Sequence, residues 1–354
     1  LSVSGRIHHI QALRGIAASA VVLDHALSPL VKSGVLPTYF DDVRYNIGNL
    51  GVVVFFIISG FIMIRTNRAF FGSPGASKKF LLRRLTRIIP IYWAGTALAF
   101  LFVGMVEKEW RPLELGLSLA FVPYFDAVHG VMKPILNVGW TLNYEMFFYA
   151  VFAIAMLLPL KIGVFFVASV FTVLVSAHLL LAGPGNPTHS AALFLSDRIV
   201  LLFVVGVFIG LFVKMPQIAF RFPLACVVFA AMCGAYVFMR SLDDAAFPAD
   251  LWMWVPAAMV VMLCSGNSGE ESAFARWAER FGDASYSTYI FNIFIVAALA
   301  KVMPVTSWAT GLMFVLTSLV ASNLIGLSIN SWVERPALSR LRYLSFRHPK
   351  GAAG

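Results

Sequence analysis

Among the few ionisable residues inside apolar stretches of this 354-residue chain are Arg14, Asp24 and His25 in the first and Glu145 in the fourth. A charged side chain at bilayer depth costs roughly 2.5–3.5 kcal/mol on insertion scales, so such residues are functional candidates by default. Arg14 and His25 are eleven residues apart. At ~100° and ~1.5 Å per residue, a helix brings them within ~20° of one face, with His25 ~16 Å above Arg14. A cation at the mouth and an imidazole near the midplane suit a long anionic ligand. The imidazole would serve there as a general base, or as an interhelical hydrogen-bond donor. Asp24 diverges from His25 by ~100°, so it faces an outer aqueous cavity or pairs with another span rather than orienting the ring.

Glu145 ends the run Trp140-Thr141-Leu142-Asn143-Tyr144-Glu145. With Trp140 at the outer interface, Glu145 lies ~7–8 Å deeper, within reach of the level expected for His25. A carboxylate beside an imidazole fixes its tautomer and stabilises the imidazolium; the alternative is a Glu satisfied by another helix. Arg84 and Arg87, three apart, lie ~60° from each other on a helix. With Arg83 they would clamp phosphates in bidentate fashion, or snorkel to lipid headgroups. Ser59-Gly60 interrupts an apolar run with a small pair, which allows close helix contact or approach of backbone to a ligand.

The elements that must carry these residues are membrane helices. Sixty percent of the chain is apolar and only 12% is charged, half the charge of an ordinary soluble domain. That balance excludes a soluble enzyme, a disordered chain and a nucleic-acid-binding domain. Ten apolar segments are read, at 11–29, 48–65, 88–106, 139–160, 162–182, 193–213, 221–239, 250–264, 284–303 and 309–332. Most can cover a ~30 Å hydrocarbon core. The stretch 113–125 is too short to span and contains Pro123, so it is expected as an interfacial or re-entrant piece. The fold class is therefore all-α: a polytopic membrane protein of about ten transmembrane helices in one domain over 1–354, with short tails at 1–6 and 348–354.

The net charge of +10 comes from 27 Lys and Arg against 17 Asp and Glu. With ten spans, nineteen of the 27 fall on the side of the N-terminus and eight opposite, which predicts N-in/C-in. The loop after the second segment is the most lopsided: Arg65, Arg68, Lys78, Lys79, Arg83, Arg84 and Arg87 occur there without an acid. It reads as a topology anchor or as a site for a polyanion. Cys226, Cys233 and Cys264 show no metal-ligand spacing and read as buried packing thiols. The first segment carries charge and lacks a cleavage site, so it is read as the first span rather than a signal peptide.

The same residues resemble the acyltransferase-3 family of integral membrane acyltransferases. Its Arg-x10-His element matches Arg14 and His25, its Phe-Phe-x-x-Ser-Gly-Phe element matches 55–61, and its Arg-x-x-Arg element matches Arg84 and Arg87. Its Trp-Ser/Thr-Leu-x-x-Glu element matches Trp140 to Glu145, its late signature matches 282–290, and its closing Glu-x-Pro matches Glu334 and Pro336. The order is the family's, and the length is most similar to the exopolysaccharide acetyltransferase branch. One position departs: family members often carry His just after the late signature, and this chain has Phe291-Asn292.

The resemblance implies a ten-helix core that moves an acyl group, usually acetyl, from cytoplasmic acyl-CoA to a sugar hydroxyl. The acceptor would be an exopolysaccharide, a lipopolysaccharide or a lipid-linked saccharide, and the location the bacterial cytoplasmic (inner) membrane. His25 is then catalytic, with Glu145 behind it. Arg14, Arg83, Arg84, Arg87, Ser59 and Gly60 bind acyl-CoA, and Asp24, Trp140 and Asn143 meet the acceptor. Acetyl-CoA is a substrate, no cofactor or metal is bound permanently, and no nucleic-acid partner is expected. Direct attack and an acyl-histidine relay are both open. The rival readings are a transporter or flippase of a sugar-lipid, and a non-catalytic partner of a polysaccharide synthase.

Overall fold

The computed structural model describes residues 7–106, 108, 110–181, 190–212, 221–241, 249–266 and 273–339. The expected tails at 1–6 and 348–354 lie outside them. Each apolar segment read from the sequence is a helix. They are α1 (His8–Lys32), α2 (Phe40–Asn67), α3 (Ala76–Val106), α5 (Trp140–Ala155), α6 (Leu160–Leu181), α8 (Leu201–Phe212), α9 (Arg221–Ser241), α10 (Ala249–Cys264), α11 (Ala273–Val302) and α12 (Trp308–Ile329). Two short helices, α4 (Pro112–Leu119) and α7 (Ala191–Leu195), stand between them. Seven helical stretches are long and apolar enough to cross a membrane; α7 and α8 form one of them, as Ala191–Phe212. The apolar parts of α5, α9 and α10 are shorter. The chain is an all-α polytopic membrane protein.

Large apolar side chains project outward along these helices, among them Phe165, Leu180, Leu181 and Phe212. In water this would be an aggregating surface; against lipid tails it costs nothing. Cys264 is buried, as expected, but Cys226 is exposed on α9. Beside it Val227 and Leu224 are exposed too, so this thiol sits on an apolar outward face rather than in the core. Cys233 lies where side chains are not described.

Helix α1 is central, packed on α2, α11, α12 and α10. Its neighbours fix the directions. Gly48 faces Asp24 and Gly51 faces Ala17, so α1 and α2 are antiparallel. Gly282 faces Gln11, and Asn292 meets His25, so α1 and α11 run parallel. Leu30 meets Gly311 and Ser19 meets Asn323, so α12 opposes α1. These are the directions that the first, second, ninth and tenth crossings of a membrane must have.

The α2–α8 contact explains the small residue Gly60. A methyl group there would collide with the Phe203 carbonyl, and one at Gly206 would collide with the Ile57 carbonyl. Both helices thus bring backbone against backbone, as small residues permit within lipid. Aromatic stacking of Phe203 between Phe56 and Phe148 continues the contact, with ring centroids 4.5 and 4.4 Å away.

At the end of the molecule away from Arg84 and Arg87, the α3–α5 connection forms a cover. Its first piece is α4, whose start is set by Pro112 at the first turn. A two-residue hairpin follows, β1 (Phe125–Asp126) against β2 (Val131–Met132). The expectation of a non-spanning piece at 113–125 is met by α4 and the turn after it. Asp126 organises the hairpin: it accepts from the Val128 N–H at 3.0 Å and pairs with His129 at 2.7 Å. Arg111 and Lys133 stand 3.5 and 3.8 Å away. Burial raises its carboxyl, but the hydrogen bond and charge of His129, the Val128 N–H and Lys133 together hold it below the ordinary carboxylate value.

Candidate active site

Three arginines from two helices converge. Arg14 of α1, and Arg84 and Arg87 of α3, line one narrow cavity of about 100 Å³, together with Ser59 of α2 and Glu145 of α5. The α3 residues reach it because their three-residue spacing puts both on one flank. The Arg84 guanidinium lies 5.9 Å from the Phe80 ring centroid and 5.8 Å from that of Tyr149, so aromatic faces hold it in place. Arg14 donates to Gln11 at 3.0 Å. Glu145 accepts from the Ser59 hydroxyl at 2.8 Å and from the Tyr149 hydroxyl. The result is a slot with cations at one end, one carboxylate in the middle, and aromatic walls.

A wider groove of about 590 Å³ adjoins the slot and shares Arg87 with it. Arg276, Arg280 and Arg335 line that groove, with Asp283 and Glu334. Asp283 pairs with Arg335 at 3.1 Å. Glu334 is buried, accepting from Ser287 at 2.7 Å and Asn330 at 2.9 Å. The last turns of the tenth crossing widen into a π-helix over Asn330–Glu334, which aims Glu334 at Ser287. The late signature and the closing Glu-x-Pro are thus two halves of one contact.

At its other end the slot reaches Val52, Phe55, Thr141 and Tyr289. The Tyr289 hydroxyl donates to the Val138 carbonyl at 2.9 Å and lies 2.8 Å from Thr141 Oγ1. Three residues further along α11 is Asn292, whose Oδ1 lies 2.5 Å from His25 Nδ1. His25 is half-buried and is not itself among the residues lining the slot. A second cavity, of about 590 Å³, lies under the cover; Tyr45, Asn49, Trp140, Tyr144, Arg198 and Trp254 are among its walls.

The structure therefore gathers Arg14, Arg84, Arg87, Ser59 and Glu145, and puts Trp140 on the second cavity. Five expected placements differ from the structure. Glu145 does not back His25. Asn292 meets His25; Tyr289, three residues toward the arginine end, meets Thr141; Glu145 is four residues further down α5. At ~1.5 Å per residue, Glu145 is ~10 Å from the level of His25. The error came from setting Trp140 at the lipid interface, whereas α5 begins beneath the cover. Gly60 does not line the slot but packs against Phe203. Arg83 is exposed on the adjacent face of α3, off the slot. Asp24 is buried in an ion pair with Arg44 of α2 at 2.7 Å, the second of the two roles considered for it, and is not on the second cavity. Asn143 is buried, its Oδ1 without a hydrogen-bond partner among the described residues, and lies on neither cavity wall.

Sequence reasoning passed over Tyr149, Tyr286 and Tyr289. The Glu145/Tyr149 spacing of four was readable as a same-face pair. The Asn292–His25 bond was not, because it joins the first and ninth apolar segments.

A ten-segment helical membrane protein with an arginine-mouthed slot leading toward a half-buried imidazole defines a class, the multi-pass membrane acyltransferases. Comparison with known proteins agrees: residues 7–329 match the acyltransferase domain of the acyltransferase-3 family, and the chain belongs to that family. It is 32% identical over 312 residues to the exopolysaccharide production protein ExoZ of Rhizobium meliloti (strain 1021), which covers 84% of this chain and 92% of that protein. It is also 32% identical over 169 residues to BcsY of Komagataeibacter xylinus, provisionally named a membrane-bound transacylase; that match covers 44% of this chain and 39% of that protein. No solved structure matches.

Proposed function

We propose that this protein moves an acyl group, acetyl in the first instance, from acyl-CoA to a sugar hydroxyl of an exopolysaccharide or its lipid-linked precursor. One observation carries the reading: the slot runs from Arg84, Arg87 and Arg14 to within one helical turn of the Asn292–His25 pair. Phosphates suit the arginine mouth. The wider groove at Arg87 has room for a nucleotide, and the slot is narrow enough to admit only an extended arm. The second cavity, rich in aromatic rings with Asn49 among its walls, has the composition that stacks on and hydrogen-bonds sugars. ExoZ, by name an exopolysaccharide production protein, supports the acceptor class.

In this reading the arginine end faces the cytoplasm of a bacterial inner membrane, as the charge asymmetry predicts. The acceptor oxygen attacks the thioester carbonyl while His25 takes its proton. The C–S bond breaks, and the departing thiolate recovers a proton from the imidazolium, leaving free CoA thiol and a sugar ester. General-base help of this kind is worth about 10²–10⁴-fold. The test is a mass comparison of surface polysaccharide from source cells with the gene deleted, restored, or restored as His25→Ala, alongside CoA thiol release in their membranes. Deletion and His25→Ala should both lose the acyl mass and the thiol release while the variant remains inserted. A His25→Ala protein that still acylates normally removes the base from the scheme.

A further inference from the structure

Asn292 is fully buried, 0% exposed, and its amide has a defined direction. Its Nδ2 donates to the Tyr289 carbonyl at 2.7 Å and to the Thr288 carbonyl at 3.2 Å. Those are its own helix's carbonyls at i−3 and i−4, and neither can donate. Turning the amide over would set Oδ1 against two carbonyl oxygens and leave both N–H groups of Nδ2 without them. Oδ1 therefore points at His25 Nδ1, 2.5 Å away. An amide oxygen only accepts, so the proton between them belongs to the imidazole.

We infer that Asn292 is a positioning residue that holds His25 as the Nδ1–H tautomer and so keeps the lone pair on Nε2. Two further features shape the arrangement. The bond crosses between parallel helices that are closely packed, with Gly282 against Gln11 and Gly15 against Phe281, so the register of α11 along α1 is fixed by packing as well as by the bond. The partner is also neutral. The nearest carboxylate in sequence, Asp24, is engaged by Arg44. Among the described residues no carboxylate is hydrogen-bonded to His25, and its proton-accepting nitrogen is defined before any substrate arrives. The departure from the family pattern noted at Phe291-Asn292 becomes a working part of the site.

This inference rests on the proposed role of His25 for its catalytic meaning, but its direct readout does not. Nitrogen-15 spectra of histidine-labelled protein in lipid, with His25 assigned by its loss in His25→Ala, should show a protonated Nδ1 and an unprotonated Nε2. Asn292→Ala should convert the ring to a tautomer mixture. It should also lower kcat by about 10²-fold with little change in KM for acetyl-CoA. Asn292→Asp, which keeps an acceptor at the same place, should restore the Nδ1–H form and most of kcat. A wild-type ring protonated at Nε2 overturns the inference without any variant, as does an unchanged spectrum in Asn292→Ala. If the tautomer behaves as stated but His25→Ala acylates normally, the proposed function fails and the Asn292 contact stands.

Discussion

Glu145 and His25 were expected to be one catalytic pair, and the structure assigns them to two places. Glu145 sits between Ser59 and Tyr149 beside three arginines, where it spaces the cations. Removing its charge while keeping its shape should therefore disturb donor binding. Glu145→Gln should raise KM for acetyl-CoA about tenfold, the scale of one charge-assisted hydrogen bond, with kcat nearly unchanged. A collapse of kcat at constant KM would return Glu145 to the reacting atoms. Arg14 and His25 were legible because their spacing is a property of one helix. Asn292 was visible as an oddity but not as a neighbour, since no local spacing reports a contact across 267 residues.

At the scale of elements, the ten apolar segments were legible as helices because lipid leaves backbone groups no other way to bond. What composition could not give was the level of one helix against another. That is why Trp140, starting α5 beneath the α4 and hairpin cover, was set too far out. Gly60 shows the same limit: smallness was noticed, but whether it served a ligand or a helix depended on α8. The reciprocal Gly60–Phe203 and Gly206–Ile57 contacts predict that Gly60→Val separates α2 from α8. A loss of about 1–3 kcal/mol is expected from such overpacking, read as a lower melting temperature in detergent. Because Ser59 rides on the same turn, donor affinity should weaken with it. A Gly60→Val protein as stable as the parent would mean that this interface yields easily.

For the whole molecule, the arrangement is a pair of cavity systems with different chemistry at the two ends: arginines and a polar groove at one, aromatic rings beneath a hairpin at the other. Its sidedness can be checked directly. Ser73, in the α2–α3 connection, and Val128, in the hairpin, are both exposed. In a protein with its native cysteines replaced, Ser73→Cys should react with an impermeant thiol reagent only after the cytoplasmic face is opened. Val128→Cys should react in intact spheroplasts. The reverse pattern would turn the molecule over and put the arginine slot on the wrong side for a cytoplasmic thioester.

The parallel pairing of α1 with α11 has a consequence for biosynthesis. His25 leaves the ribosome 267 residues ahead of Asn292. Until then the ring lacks its Asn292 partner, and the slot lacks the wall formed by Tyr286 and Tyr289. Both are gained together when the ninth apolar segment docks against the first.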